Sequence, residues 1–102
     1  MTFLKNTLVM SALIATVGIA QARDINTDEA DKLRSAGTIK SLEILNAAAL
    51  AEHPGGTIDE TELESEGNRY LYELEVIDAQ GVEWDMELDA ATGQVLKNHR
   101  DD

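Results

Sequence analysis

Residues 82–89 read Val-Glu-Trp-Asp-Met-Glu-Leu-Asp, an unbroken alternation of apolar and acidic side chains. Because successive side chains of a β-strand point to opposite sides, this period is typical of a strand with one buried and one solvated face. Residues 70–77, Tyr-Leu-Tyr-Glu-Leu-Glu-Val-Ile, show the same alternation over most of their length. Two neighbouring strands, each with one apolar face, are therefore predicted.

Glycine-containing turns set the register of these strands. Gly81 closes the three-residue connection 79–81, where a bulged type I turn needs a residue with positive φ. Counting outward from this turn pairs apolar residues with apolar residues, whereas a slip of one residue would invert the faces. The predicted pairs are Val76 with Trp84, Leu74 with Met86, and Tyr72 with Leu88.

Two further turns extend the sheet to four strands. Gly93 closes a second three-residue turn of the same kind as the turn at Gly81. This turn leads into a short strand over 94–97, with Leu96 expected opposite Leu88. Gly67 and Asn68 form a two-residue hairpin turn, which adds a strand over 57–66 on the other side. The result is an antiparallel meander with one apolar face.

The fold class is α+β: one main helix packed on a four-stranded antiparallel β-meander, with a short accessory N-terminal helix. The main helix is predicted over 41–53, capped by Ser41 and ended by Pro54 and Gly55. The accessory helix lies within 23–37, with Thr27 as its N-cap. The predicted core consists of Leu42, Leu45, Ala49, Leu63, Tyr72, Leu74, Val76, Trp84, Met86, Leu88 and Leu96.

The same register places six carboxylates on the outer face of the sheet, in two rows. One row is Glu62, Glu73 and Glu87, and the other is Glu60, Glu75 and Asp85. Like charges directly opposite each other destabilise a sheet, so this face is unusual. The ordinary interpretation is a solvated surface; the sharper hypothesis is a weak site for divalent cations or a surface for a basic protein. A tight calcium site is not expected, since flat strands rarely bring six oxygens to one ion.

Charge limits the partners of this chain. It has 20 acidic and 8 basic residues, and its formal net charge is −12. Nucleic acid and anionic membranes are poor partners for such a surface, whereas cations and basic proteins are good ones.

The N-terminal segment resembles an export signal. Lys5 precedes an apolar run over 8–20, and Ala20-Gln21-Ala22 fits a small-x-small cleavage site. We therefore expect a cleaved signal peptide over 1–22, a periplasmic location and no membrane insertion after cleavage. The chain contains no cysteine, so no disulfide stabilises the remaining small domain, and a homodimer would be unsurprising.

No constellation for catalysis is visible. His53 and His99 are the only histidines, and they do not form a zinc-binding motif with cysteines or with each other. No serine lies in a nucleophile motif, so neither an enzyme nor a cofactor is predicted. His53 is expected to end the main helix and to complement its dipole.

Several short motifs together resemble the PepSY family, particularly its small secreted single-domain members from Gram-negative bacteria. The resemblance covers 38–97, from the main helix through Pro54-Gly55-Gly56 and the strands to the closing segment Asp89-Ala90-Ala91-Thr92-Gly93. Asp89 and Gly93 have structural roles there, since an aspartate accepts backbone hydrogen bonds in a turn and a glycine takes positive φ. Accordingly, the PepSY-like domain is placed at 38–98 and a polar tail at 99–102.

The resemblance implies a binding module rather than an enzyme. PepSY domains occur in propeptides of thermolysin-like metallopeptidases, where they are thought to inhibit or help fold the enzyme, and in cell-envelope proteins. These 102 residues contain no peptidase domain. The expected partner is therefore a separate envelope protein, such as a peptidase or a sensor, and the family supplies no catalytic residue to carry over.

Overall fold

A computed structural model describes residues 22–101. The predicted signal peptide lies outside the described residues, apart from Ala22. No helix within the described part is long and apolar enough to cross a membrane.

The described chain forms two helices and five strands. The strands are β1 (Arg23–Asp24), β2 (Thr57–Glu66), β3 (Arg69–Ile77), β4 (Glu83–Asp89) and β5 (Val95–Arg100). The helices are α1 (Thr27–Ser35) and α2 (Leu42–Ala51). The strands form one antiparallel sheet in the order β1-β2-β3-β4-β5. The α+β class is confirmed, but the sheet has five described strands rather than four.

The fifth strand is β1, which the sequence analysis missed because its two residues were included in the accessory helix. Arg23 pairs with Ser65, and the N–H of Ile25 donates to the carbonyl oxygen of Leu63 at 2.9 Å. The chain then turns into α1, whose N-cap is Asn26 and not Thr27. The side chain of Asn26 accepts from the N–H of Glu29 at 2.9 Å, which satisfies one free donor of the first turn.

The main helix is shorter than predicted. Its N-cap is Ser41, as expected, and the hydroxyl oxygen accepts from the N–H of Ile44 at 3.3 Å. The helix ends at Ala51, two residues before the predicted end, and Glu52 is the C-cap. The chain reverses through Gly55, whose φ is +84°, and enters β2 at Thr57.

The register between β3 and β4 is the predicted one. Val76 lies opposite Trp84, Leu74 opposite Met86, and Tyr72 opposite Leu88. At the intervening turn, the N–H of Asp78 donates to the carbonyl oxygen of Val82 at 2.8 Å, and Gly81 has a φ of +83°. The pairing between β2 and β3 also follows the prediction from Thr61 to Ser65.

The predicted pairing of Leu96 with Leu88 is wrong. A bulge between Glu87 and Leu88 places Val95 opposite Leu88, and Leu96 becomes the extra residue. Leu96 is therefore 36% exposed instead of buried. The strand also continues to Arg100, so residues 99 and 100 of the predicted polar tail belong to the sheet.

The core lies between α2 and the inner face of the sheet. Leu45, Val76 and Leu88 have the largest side chains that are fully buried. Leu42 was expected here but is 45% exposed, because it occupies the first turn of α2 and faces outward. Two residues outside the predicted core, Ile39 and Ala90, belong to this cluster, and Ile25, Ala30 and Leu71 are buried outside it.

Candidate binding surface

The outer face of the sheet carries the two predicted rows of carboxylates. Glu73 lies opposite both Glu62 and Glu87, and Glu75 lies opposite both Glu60 and Asp85. A groove of about 730 Å³ crosses this face, and all six carboxylate residues line it. The strand alternation thus assembles one continuous acidic surface from three strands.

Glu73 is the carboxylate with the least favourable surroundings. Partial burial is the largest cause that raises its pKa, and a hydrogen bond with Glu64 and repulsion from Glu64, Glu87 and Glu62 add to it. Together they bring the pKa of Glu73 to about 7. Burial also raises the pKa of Glu75, with repulsion from neighbouring carboxylates as the second cause. Keeping the carboxylates of this face charged therefore lowers the free energy of unfolding.

Basic side chains limit the acidic surface at one edge, which the sequence analysis did not foresee. Lys97 lies opposite Glu87 at the end of the first row, and His99 lies opposite Asp85 at the end of the second. Lys97 also lines the groove. His99 belongs to this face because β5 continues past Lys97, where the predicted strand ended.

Two groups of carboxylates come close enough to share a cation. Asp24, Glu62 and Glu64 have oxygens within 4.8 Å of one another, and so do Glu75, Glu83 and Asp101. A hydrogen bond with Asp24 is the largest cause that raises the pKa of Glu62. Of the six predicted residues, Glu62 and Glu75 belong to these groups, whereas the other members come from outside the predicted set.

His53 is a structural residue, but not in the way predicted. It lies beyond the C-cap of α2 and is only 9% exposed. Its Nε2 forms a 2.8 Å hydrogen bond with Oδ1 of Asn98, and its ring lies 4.5 Å from the ring of Trp84. Trp84 in turn donates from Nε1 to Asp78 at 2.9 Å. His53 thus connects the end of the helix with β4 and β5.

An apolar patch on α2 remains exposed. Ile44 is 53% exposed and Leu42 is 45% exposed, and Ala47 and Ala51 are exposed on the same helix. Beside Leu42, a second groove of about 390 Å³ runs between α1, α2 and β2. Ile44, Ala47 and Ala51 share one side of the helix, because residues three or four positions apart are neighbours there, whereas Leu42 lies on another side. Exposed apolar residues on one side of a helix are a feature of contact surfaces.

The turn residues that the sequence analysis singled out have local roles. Gly55, Gly67, Gly81 and Gly93 all have positive φ, and Pro54 lies in the exposed turn after α2. Asp89 accepts from the N–H of Ala91 at 2.8 Å and lies 3.7 Å from the guanidinium of Arg69. These residues shape the loops and do not line either groove.

Comparison with known proteins identifies the family of this architecture. The family model described as peptidase propeptide and YPEB domain, PepSY, matches residues 41–99, which run from the N-cap of α2 into β5. The chain belongs to the PepSY family. The PepSY unit thus contains the main helix, four strands and all six outer-face carboxylates, whereas β1 and α1 precede it.

A protein of Bacillus subtilis strain 168, called uncharacterized protein YkoJ, is similar to this chain. The two are 32% identical over 82 residues, which cover 78% of this chain and 48% of YkoJ. The chain therefore spans about half the length of this relative. No solved structure gives a significant match.

Proposed function

We propose that this protein is a non-catalytic PepSY module that acts in the periplasm by binding, and restraining, a peptidase or another envelope protein. The observation that carries the proposal is the family match, because it covers the helix and four strands as one unit. PepSY domains are in general propeptide or inhibitor modules and not enzymes. Export to the periplasm rests on the charged, apolar and small-residue pattern of residues 1–22.

Two surfaces of the molecule suit this role. The exposed side chain of Ile44, with Ala47 and Ala51 on the same side of the helix, offers apolar contact on α2. The acidic groove, with its six carboxylates, would attract basic partners over a distance and raise their association rate at low salt. These two surfaces belong to different faces, so their contributions can be separated by mutation.

Inhibition of a thermolysin-like metallopeptidase tests the proposal. The purified protein is titrated against the peptidase, and hydrolysis of a peptide substrate is followed. We expect concentration-dependent inhibition that Ile44→Asp weakens at least about tenfold, since a charge would be buried at the contact. Gln80→Asp, on an exposed turn, is the charge-matched control and should inhibit like the unmodified protein. The absence of both inhibition and binding would contradict the proposal for this class of partner.

The alternative function is a response to divalent cations through the outer face. It is favoured by the proximity of Asp24, Glu62 and Glu64, whose oxygens lie within 4.8 Å of one another. Under this alternative, millimolar Ca²⁺ or Mg²⁺ should raise the melting temperature more than NaCl of equal ionic strength. Glu62→Gln should remove that difference, whereas Glu43→Gln on α2 should leave it unchanged. An equal effect of all three salts would reject the alternative.

A further inference from the structure

The segment ahead of the PepSY unit is a separate piece of the fold. Residues 23–36 contain β1 and α1 and form a strap that lies against the unit. Arg23 pairs with Glu29 at 3.1 Å, and Arg34 pairs with Asp31 at 2.6 Å. Both ion pairs join residues of the strap to each other, so these charges stabilise the strap itself and do not attach it to the unit.

β1 shows what the edge of β2 binds. Asp24 lies opposite Glu64, and the N–H of Ile25 donates to the carbonyl oxygen of Leu63 at 2.9 Å. The side chain of Ile25 is buried and lines the same groove as Leu63. Residues 63–65 thus hold an extended segment by backbone pairing and by one apolar anchor.

Asp24 is the residue of the strap that suits this site least. One of its carboxylate oxygens lies within 4.8 Å of an oxygen of Glu62 and of an oxygen of Glu64. Like charges on neighbouring strands destabilise their pairing, and the hydrogen bond with Asp24 raises the pKa of Glu62 above 4.5. Arg34 lines the adjoining groove, but its charge is paired with Asp31. A basic residue in the place of Asp24 would instead face two carboxylates.

We propose that residues 63–65 are a docking site for an extended segment of a partner protein, which displaces the strap. The segment carries a basic residue opposite Glu64 and a branched apolar residue opposite Leu63, so it keeps the anchor of the strap and replaces repulsion with attraction. This mode of binding adds a strand to the edge of a sheet. The proposal does not rest on peptidase inhibition, since neither Ile44 nor a peptidase takes part in the site or in its test.

Displacement of the strap would leave the core in place. Gly37, which follows the strap, is exposed and has a φ of +77°. Beyond it, Ile39 is buried in the core, and the N–H of Lys40 donates to the carbonyl oxygen of Ala90 at 2.8 Å. Rotation at Gly37 would therefore release the strap while the chain stays attached from Ile39 onward. Because the strap is tethered, it competes at an effective concentration of about millimolar, which only a better-matched segment overcomes.

A peptide titration tests the site. The probe is a synthetic peptide of residues 22–36 that carries Asp24→Lys. The receptor is the full chain with Ile25→Asp, whose own strap has lost its apolar anchor. Ile25 lies outside the core cluster, so this receptor should keep its fold, which circular dichroism checks. Calorimetry should show saturable binding, and the unmodified chain should bind the same peptide at least about fivefold more weakly because its strap competes.

The control peptide carries Asp28→Lys instead, at an exposed position of α1. It has the same composition and net charge as the probe, but its added charge lies away from the two carboxylates. It should bind the receptor at least about fivefold more weakly than the probe. Equal affinity of the two peptides, equal affinity of the two receptors, or no binding of the probe would overturn the proposal.

Hydrogen exchange in the chain itself provides a second measurement. Asp24→Lys in the full chain should hold the strap more tightly, because the introduced charge faces Glu62 and Glu64. The protection factor of the Ile25 amide should then rise at least about fivefold. Asp28→Lys in the full chain is the control and should not raise it. An unchanged or lower protection factor in Asp24→Lys would overturn the proposal, because the site would not select a basic residue.

Discussion

On the inner face of the sheet, Leu74 and Met86 lie opposite each other and are buried beneath the helix. One residue away in the same two strands, Glu73 and Glu87 oppose like charges on the outer face. The same backbone register therefore produces both a stabilising apolar pair and a destabilising acidic pair. The comparison indicates that the inner face supplies the stability of this small domain, and that the outer face reduces it.

The largest effect is expected on the inner face. Leu88→Ala should lower the free energy of unfolding by about 2–5 kcal/mol, because it leaves a cavity beneath the helix. Leu96→Ala is the matched control one strand away, and its effect should be below about 1 kcal/mol since the side chain is 36% exposed. Chemical denaturation measures both. Equal losses would show that β5 is packed in the register that the sequence alone predicted.

The next effect concerns the connection between the main helix and the inner face. A Cβ on Gly56 would lie 2.9 Å from the carbonyl oxygen of His53 and 3.1 Å from Cγ1 of Val76. Gly56→Ala should therefore cost about 1–3 kcal/mol through overpacking, measured by chemical denaturation. Gly56 has no positive φ, so strain of the backbone is not the cause. A neutral substitution would mean that the helix end is not held against the sheet as described.

On the outer face, a substitution should raise the free energy of unfolding instead of lowering it. Glu73→Gln should raise the free energy of unfolding at pH 8 by roughly 0.2–1 kcal/mol, because it removes repulsion across two strand pairs. Glu66→Gln is the control, since Glu66 lies opposite Arg69 and its charge is favourable there. That substitution should leave stability equal or slightly lower. Loss of stability in Glu73→Gln would show that the carboxylate has a favourable partner in solution.

The smallest effect is the pH dependence that these carboxylates impose. The folded chain raises the pKa of Glu73 from 4.5 to about 7, mainly by burial, so the folded state binds more protons between these values. Stability from this group should thus increase as pH falls from 7 to 4.5. Hydrogen bonds from the Trp84 side chain and from the backbone N–H groups of Val82 and Gln80 lower the pKa of Asp78 below 3.8, so the stability that this group contributes is lost on acidification below that value.

Thermal melting from pH 3 to pH 8 checks this dependence, with a maximum expected near pH 4–5 for the unmodified protein. Glu73→Gln should flatten the decline between pH 5 and pH 8 but not the loss at low pH. If the melting temperature of Glu73→Gln declines as much as that of the unmodified protein, the decline arises from other titrating groups.

The sequence contained enough information for the central hairpins. Alternation and two glycine turns determine which residues of β2, β3 and β4 oppose each other, and the carboxylate rows follow from that register. The bulge at Leu96 was not predictable from the same pattern, because Val95 and Leu96 are both apolar and either could face Leu88. β1 has only two residues, which are too few to show the alternation that predicts a strand. The contact of His53 with Asn98 joins residues 45 positions apart, which no local pattern reveals.

For the outer face, the sequence was sufficient to predict which residues lie there, but not their energetics. Its residues and rows were predictable, but the raised pKa of Glu73 depends on how the folded chain buries it and brings Glu64 beside it. His99 became part of this face because β5 continues beyond the predicted strand to Arg100. The sequence thus predicts the composition of the surface, and the fold determines its energetics and its limits.

One combined measurement tests most directly whether the outer face is kept for binding at a cost in stability. The variant Glu73→Gln, Glu75→Gln, Asp85→Asn, Glu87→Gln is compared with the unmodified protein for melting temperature and for the association rate with a thermolysin-like metallopeptidase at low salt. We predict a higher melting temperature together with slower association, because the repulsion and the steering charge are removed at once. A higher melting temperature with unchanged association would contradict the account and leave the acidic face as a solvated surface only.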